Sequence, residues 1–174
     1  MSAVPPGKRL GRIMLLLAWA AGILLATRFF AQWEESRYNP NPSPESLHSG
    51  SHIEVRLQGD GQGHFRASGS INGHPVLFLL DTGATDVAVP EALAERLGLE
   101  RGTPIELLTA NGRATGYRTR LERLQLGDIV LHDVRALIAP GMGNDQVLLG
   151  MSALRQLEFT QRAGTLVLRQ YFSD

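Results

Sequence analysis

Apolar positions fall along this chain in two regimes. From Ile13 to Thr27 the sequence reads IMLLLAWAAGILLAT without a charge, and apolar character resumes after Arg28 as Phe29, Phe30, Ala31 and Trp33. A bilayer core needs ~20 residues of helix, a length reached if Arg28 snorkels and Trp33 sits at the interface. The pattern therefore predicts a transmembrane helix over about 13–33. Beyond residue 51 such runs give way to short alternations. HIEVRLQ alternates, and GHFRASGSINGHPVLFLLD places Asn72-Gly73 between two strand-like runs. TPIELLTANGRATGYRTRLERLQLGDIVLHDVRALIAP adds Asn111-Gly112 and Gly127-Asp128 as turns between further strands. Two short helices interrupt the strands. PEALAERL, Pro90 to Leu97, starts on Pro, spaces Leu93 and Leu97 four apart and stops at Gly98; Ser152 to Leu157 is a weaker helical turn with Ser152 as its cap. The expectation is one mostly β domain of about 120 residues.

Between Glu34 and Gly50 the chain holds three Pro and almost nothing apolar, which reads as a flexible tether. The organisation that follows is a short N-terminal stretch over 1–12, a transmembrane signal anchor over 13–33, a Pro-rich linker over 34–50 and a folded domain over 51–174. Lys8, Arg9 and Arg12 precede the apolar run, whereas Arg28 and Arg37 follow it beside Glu34 and Glu35. The positive-inside rule then puts the N-terminus in the cytoplasm and the domain across the inner membrane. A cleaved signal peptide would share this layout, but Leu25 to Thr27 and Phe29 to Ala31 fit an A-x-A cleavage pattern poorly.

Charge and composition narrow the chemistry. Of 17 basic and 17 acidic residues, 5 and 3 lie in the first 50 positions, leaving 12 and 14 for the remainder. A domain this close to neutral carries no field that would recruit nucleic acid. The chain has no Cys, so neither disulfides nor thiolate chemistry enter. His48 and His52 have an H-x-x-x-H spacing, but in a tether this is no metal site, and no metal or other cofactor is expected. No G-x-x-x-x-G-K-[ST] occurs.

The stretch that asks for a function is FLLDTGATD, Phe78 to Asp86, in which Asp81 ends an apolar run. An ionised Asp is costly to bury unless something pairs with it. Together with VLLGMSAL, Val147 to Leu154, about seventy positions later, it resembles the aspartic proteases of the retropepsin type. LLTANGRATG lies where that family carries its substrate-covering flap, and LERLQLGDIVLHDVRALIAP where it carries the strands leading to the last motif. More narrowly the chain is similar to the bacterial membrane-anchored branch, with one N-terminal transmembrane helix and a single D-T-G domain facing the periplasm. The resemblance implies a mostly β fold, a closed acid-protease barrel with one or two short helices. It also implies a homodimer with a polypeptide substrate, since peptide hydrolysis by two carboxylates sharing a proton needs a second chain to bring the second Asp.

In that scheme Asp81 is the catalytic carboxylate, Thr82 hydrogen-bonds across the dimer, and Gly83 leaves room for backbone N–H groups to reach the carboxylates. Leu148, Leu149 and Gly150 brace the loop from beneath, and Thr109, Ala110, Asn111 and Gly112 form the flap tip, with Tyr117 and Arg113 nearby. The chain departs from the family at four places. Ala84 stands where pepsin-like relatives have Ser or Thr, so no hydroxyl bonds the carboxylate there, and the dyad is expected to keep its shared proton to higher pH. The flap has only one Gly, Thr85 replaces a frequent Asp, and the helix from Pro90 is an addition. Actin-like ATPases and phosphorylated pumps also use D-x-G or D-K-T-G-T loops, but the former need far more chain and a second phosphate loop, and the latter a Lys and membrane helices absent here. The favoured activity is an endopeptidase tethered to a membrane; the alternative is a catalytically silent dimerisation or peptide-binding module on the same fold.

Overall fold

The computed structural model of the chain describes residues 6–109, 112–142 and 145–172. It divides after Tyr38 into two units. The first is one helix, α1 (Pro6–Tyr38). Leu10–Glu34 within it, 25 residues, is long and apolar enough to cross a membrane by length and composition, and every side chain in that stretch is exposed. At ~1.5 Å per residue it spans about 37 Å, more than the ~30 Å of a hydrocarbon core.

The second unit contains two sheets. A four-stranded antiparallel sheet runs in the order β1 (Glu45–His48), β2 (His52–Gln58), β11 (Thr165–Tyr171) and β10 (Glu158–Arg162). The larger sheet has the order β3 (Phe65–Ile71), β4 (His74–Leu80), β9 (Gln146–Leu149), β5 (Val87–Pro90), β8 (Ile129–Ala139), β7 (Gly112–Leu126) and β6 (Pro104–Thr109). A further pairing of β3 with β7, at Ser70↔Gln125 and Ile71↔Leu124, joins the sheet's first strand back to β7. The fold is thus mostly β and retropepsin-like. Alternation fills the core: Val55 and Leu57 of β2, Leu166 and Leu168 of β11, and Phe78 of β4 all point inward and are nearly or wholly buried.

Several turns follow directly from residue type. Asn72 (φ +49°) and Gly73 (φ +82°) form the two-residue turn between β3 and β4, a geometry that needs positive φ at both positions. Gly127 (φ +57°) opens the turn from β7 to β8. The helix α2 (Glu91–Arg96) has Pro90 before it, buries Leu93 and Ala94, and ends at Gly98 with φ +64°.

Elsewhere the structure differs from the sequence reading. Ser152 is not a cap: α3 (Met151–Leu154) is entered from Gly150, and the Ser152 side chain is spent on other strands. Gly112 is the first residue of β7, paired with Thr109, rather than part of the turn; Ala110 and Asn111 lie outside the described residues. The stretch 34–50, expected to be a tether, splits between α1 and the second unit. Asn41 is only 6 % exposed; its amide Nδ2 donates to the carbonyls of Gln58 (2.8 Å) and Arg66 (2.7 Å) and its Oδ1 accepts from the Gln58 N–H (2.7 Å). Asn39 donates to Ser68 Oγ (2.9 Å), and β1 pairs with β2 over its whole length. Composition had suggested a solvated strand of chain, and amide side chains reaching nonlocal backbone overrode it.

Candidate active site

Two parallel strands create the site. β4 and β9 run side by side with Leu79↔Leu148 and Leu80↔Leu149 in register, so both chains leave the sheet at the same end. The residues that follow, Asp81 and Gly150, are therefore neighbours although about seventy positions apart, and the Asp81 N–H adds one more rung by donating to the Leu149 carbonyl (3.2 Å). The chain then loops over residues 81–86 and enters β5, which lies on the opposite side of β9. Gly150 passes under this loop. A Cβ there would lie 2.3 Å from the Asp86 carbonyl and 2.7 Å from that of Ala84, so no side chain fits.

Within the loop, the Gly83 N–H donates to Asp81 Oδ1 (2.8 Å) and the Ala84 N–H to the Asp81 carbonyl (3.2 Å). A Cβ on Gly83 would come within 3.1 Å of the same carboxylate oxygen. The loop is fastened from below by the first N–H groups of α3: Met151 N–H donates to the Ala84 carbonyl (2.8 Å) and Ser152 N–H to that of Thr85 (2.9 Å). Asp81 and Ala84 are half-buried, Thr82 and Gly83 exposed, Leu148 half-buried, and Leu149 and Gly150 buried. The D-T-G and L-L-G segments are thus brought into one unit. Thr109 and Gly112, expected at the flap tip, lie at the end of a separate hairpin, β6–β7. On that hairpin Arg113 pairs with Glu106 (3.0 Å), and Tyr117 packs against the core beneath the Arg101 guanidinium, 5.3 Å from its ring centre.

Two further residues complete the support, Ser152 in a role other than the helix cap expected of it and Arg135, which the sequence did not single out. Ser152 Oγ accepts from the Val87 N–H (2.9 Å) and donates to the Arg135 carbonyl (2.8 Å), tying loop exit, α3 and β8 together. Arg135 in turn reaches the Asp86 carboxylate (3.1 Å). The sequence marked Ser152 only as a candidate helix cap, and nothing local marks Arg135. An open cleft of about 790 Å³ lies beside this pair, lined also by Arg101, Arg118 and Arg120; Asp81 is not in its wall. His48 and His52 take part in other contacts: His48 Nε2 meets the Asp128 carboxylate (2.7 Å) and the His52 ring lies tilted against Tyr171, ring centres 5.2 Å apart.

A lone carboxylate on a loop so constrained can accept hydrogen bonds from backbone N–H groups and take a proton from water, but one chain presents only one such carboxylate. Comparison with known proteins agrees with this architecture. Residues 67–156 match the family described as "gag-polyprotein putative aspartyl protease". An uncharacterized protein from the cobV 5′ region of a Sinorhizobium species is 37 % identical over 120 residues, covering 67 % of this chain and 52 % of that protein. An uncharacterized protein of Rickettsia prowazekii is 30 % identical over 109 residues, 60 % of this chain and 46 % of that one. The chain thus spans about half the length of the curated relatives it matches. A crystal structure of a retropepsin-like aspartic protease from Rickettsia conorii superposes with a TM-score of 0.59 at 25 % identity, covering 74 % of this chain and 96 % of that one. With the family match spanning the D-T-G loop, the β6–β7 hairpin and the L-L-G segment, this chain belongs to the retropepsin-like aspartic protease family.

Proposed function

We propose that this chain is a membrane-anchored aspartic endopeptidase that works as a homodimer. The observation that carries the reading is the Asp81 loop: a single carboxylate, held by Gly83 N–H and braced through Gly150, and useful for hydrolysis only when a second copy supplies its partner. In the dimer one carboxylate takes a proton from a water molecule as that water attacks the peptide carbonyl carbon. The other, protonated, hydrogen-bonds the carbonyl oxygen. The tetrahedral adduct collapses as the amide nitrogen gains a proton and the C–N bond breaks, leaving a carboxyl and an amine end. The β6–β7 hairpin is the flap, and an extended substrate lies between it and the Asp81 loop as an added strand. α1 anchors the chain with its N-terminus in the cytoplasm and the catalytic domain on the periplasmic side.

The test is cleavage of a mixed peptide library by the full chain in detergent or membranes, from about pH 3 to 8, a range bracketing the titration of a carboxylate dyad. Asp81→Asn should lower cleavage by about 10²- to 10⁴-fold or more while leaving the fold and the dimer in place. Equal product from both proteins would remove Asp81 from the cleavage, and product from neither would end the protease reading and favour the peptide-binding module.

A further inference from the structure

The β6–β7 hairpin projects from its sheet. β6 is the outer strand, and the pairing of β7 with β8 begins only at Tyr117, opposite Ile138. Residues 105–109 and 112–116 therefore pair with each other and with no third strand among the described residues, an arm about 17 Å long at ~3.3 Å per residue. A two-stranded ribbon by itself is marginally stable, so the angle of this arm is set where it joins the sheet.

That root is built around Arg118. The Gly102 N–H donates to the Arg118 carbonyl (2.8 Å), and the Arg118 N–H donates to the Thr103 carbonyl (3.0 Å). Two residues thus face one, the arrangement of a β-bulge, which bends a strand and increases its twist. A Cβ on Gly102 would lie 2.7 Å from the Arg118 carbonyl, so the close approach depends on glycine. The open cleft of about 790 Å³ runs along residues 98–103 and Arg118 to Arg120, and packing does not fix the root on that side. Arg101 supplies a tie of another kind. Its Nη2 meets Glu91 Oε1 (2.9 Å) and Glu95 Oε1 (3.2 Å), carboxylates one turn apart on α2, while its guanidinium lies over the Tyr117 ring, 5.3 Å from the centre. α2 is itself fixed: Leu93, Ala94 and Leu97 are buried, and the Leu99 N–H returns to the Ala94 carbonyl (3.0 Å). One side chain therefore joins an anchored helix to the residue at which the arm leaves the sheet.

We infer that Arg101 is a positioning residue for the site: it straps the root of the β6–β7 arm to α2 and so holds the arm at the angle that closes over an extended peptide. The inference rests on the protease reading for what the arm covers, whereas the strap is read from the root alone. Arg suits the task because its planar group can bond two carboxylates and lay a face on a ring, and a Lys ammonium offers a point charge without a face. Without the cation, Glu91 and Glu95 stand as like charges one turn apart and repel. The three charged side chains are 38 to 68 % exposed, so the strap is of modest strength and can open and re-form, as an arm that admits substrate requires.

The test is hydrogen exchange on the full-length chain in detergent micelles, which needs no substrate. By alternation from Arg118 and Thr103, the N–H groups of Ile105, Leu107, Ala114 and Gly116 are bonded inside the arm. Arg101→Ala should speed their exchange about five- to tenfold and leave the amides of β8 and β9 unchanged, because exposed pairs and one ring contact add little to the global fold. Arg101→Lys should fall between. Glu91→Gln with Glu95→Gln should speed the same amides, and adding Arg101→Ala to that pair should raise exchange by less than it does in the wild type. Unchanged exchange in the arm of Arg101→Ala, an equal rise in arm and core, or full additivity with the Gln pair overturns the inference. Peptide cleavage on the same samples separates the two claims. In a chain that cuts, Arg101→Ala should raise KM by about the same factor with kcat moving less, since the strap acts on holding the peptide and not on the carboxylates; a fall in kcat alone overturns the positioning role. If the wild type cuts nothing, the protease reading falls, and the exchange result still decides the strap.

Discussion

Gly150 has no space for even a methyl group, because two carbonyls of the Asp81 loop, those of Asp86 and Ala84, close over it. Gly150→Ala must push the loop off its brace, so thermal unfolding should reveal a loss of about 1–3 kcal/mol, with peptide cleavage falling further than stability. Ala84 poses the opposite question, since a hydroxyl there would favour the charged carboxylate. The acid limb of the pH–rate profile should move downward in Ala84→Ser; a limb that stays in place removes this account of the site. Glu54 carries the third expectation. Hydrogen bonds from Arg56 first, and then from Arg169, hold its carboxyl below the usual carboxylate range. A lowered native value stabilises the fold in full above the unfolded value of about 4.3, and the gain fades as pH falls through the native one. The melting temperature of Glu54→Gln should therefore lie below wild type at neutral pH, with the gap closing in acid.

At the scale of elements, what the sequence made legible was local. Asn72-Gly73 announces its hairpin because both residues take positive φ cheaply, and Pro90 with Gly98 brackets α2 for comparable reasons. The hairpin of β10 and β11 went unmarked because its turn begins with Ala163, a residue that carries no turn signal yet sits at φ +49°. D-T-G and L-L-G were readable as motifs, but the parallel pairing of β4 with β9 that makes them neighbours joins segments too far apart for any window to see. Residues 39–48 were misread for the same reason: the partners of Asn41 are Gln58 and Arg66, and polar composition says nothing of them. Asn41→Ala leaves a backbone N–H and two carbonyls without their bonds, which should cost about 1–3 kcal/mol in denaturant unfolding. A domain cut to begin at Ser51 should melt lower than one beginning at Asn39.

For the whole molecule, the membrane-anchored dimer proposed above would depend on density. On that proposal, chains confined to a membrane meet at an effective concentration set by their number per area, so a modest dimer affinity would suffice there and fail in dilute solution. Cleavage per chain in vesicles should rise with the protein-to-lipid ratio, and a flat response would mean that the dimer is already complete at the lowest density. The clamp around Asn41 adds a consequence of another kind, for shedding. A proteinase that frees a domain from its anchor needs an unfastened stretch between the two, yet here α1 runs to Tyr38 and Asn39 is already bonded to Ser68. Release by a nick in this stretch has to wait for the clamp to open, and it should quicken in Asn41→Ala by the factor that its unfolding equilibrium shifts. On the anchored proposal, the same amide that the sequence hid in a polar stretch would set how long the domain stays at the membrane.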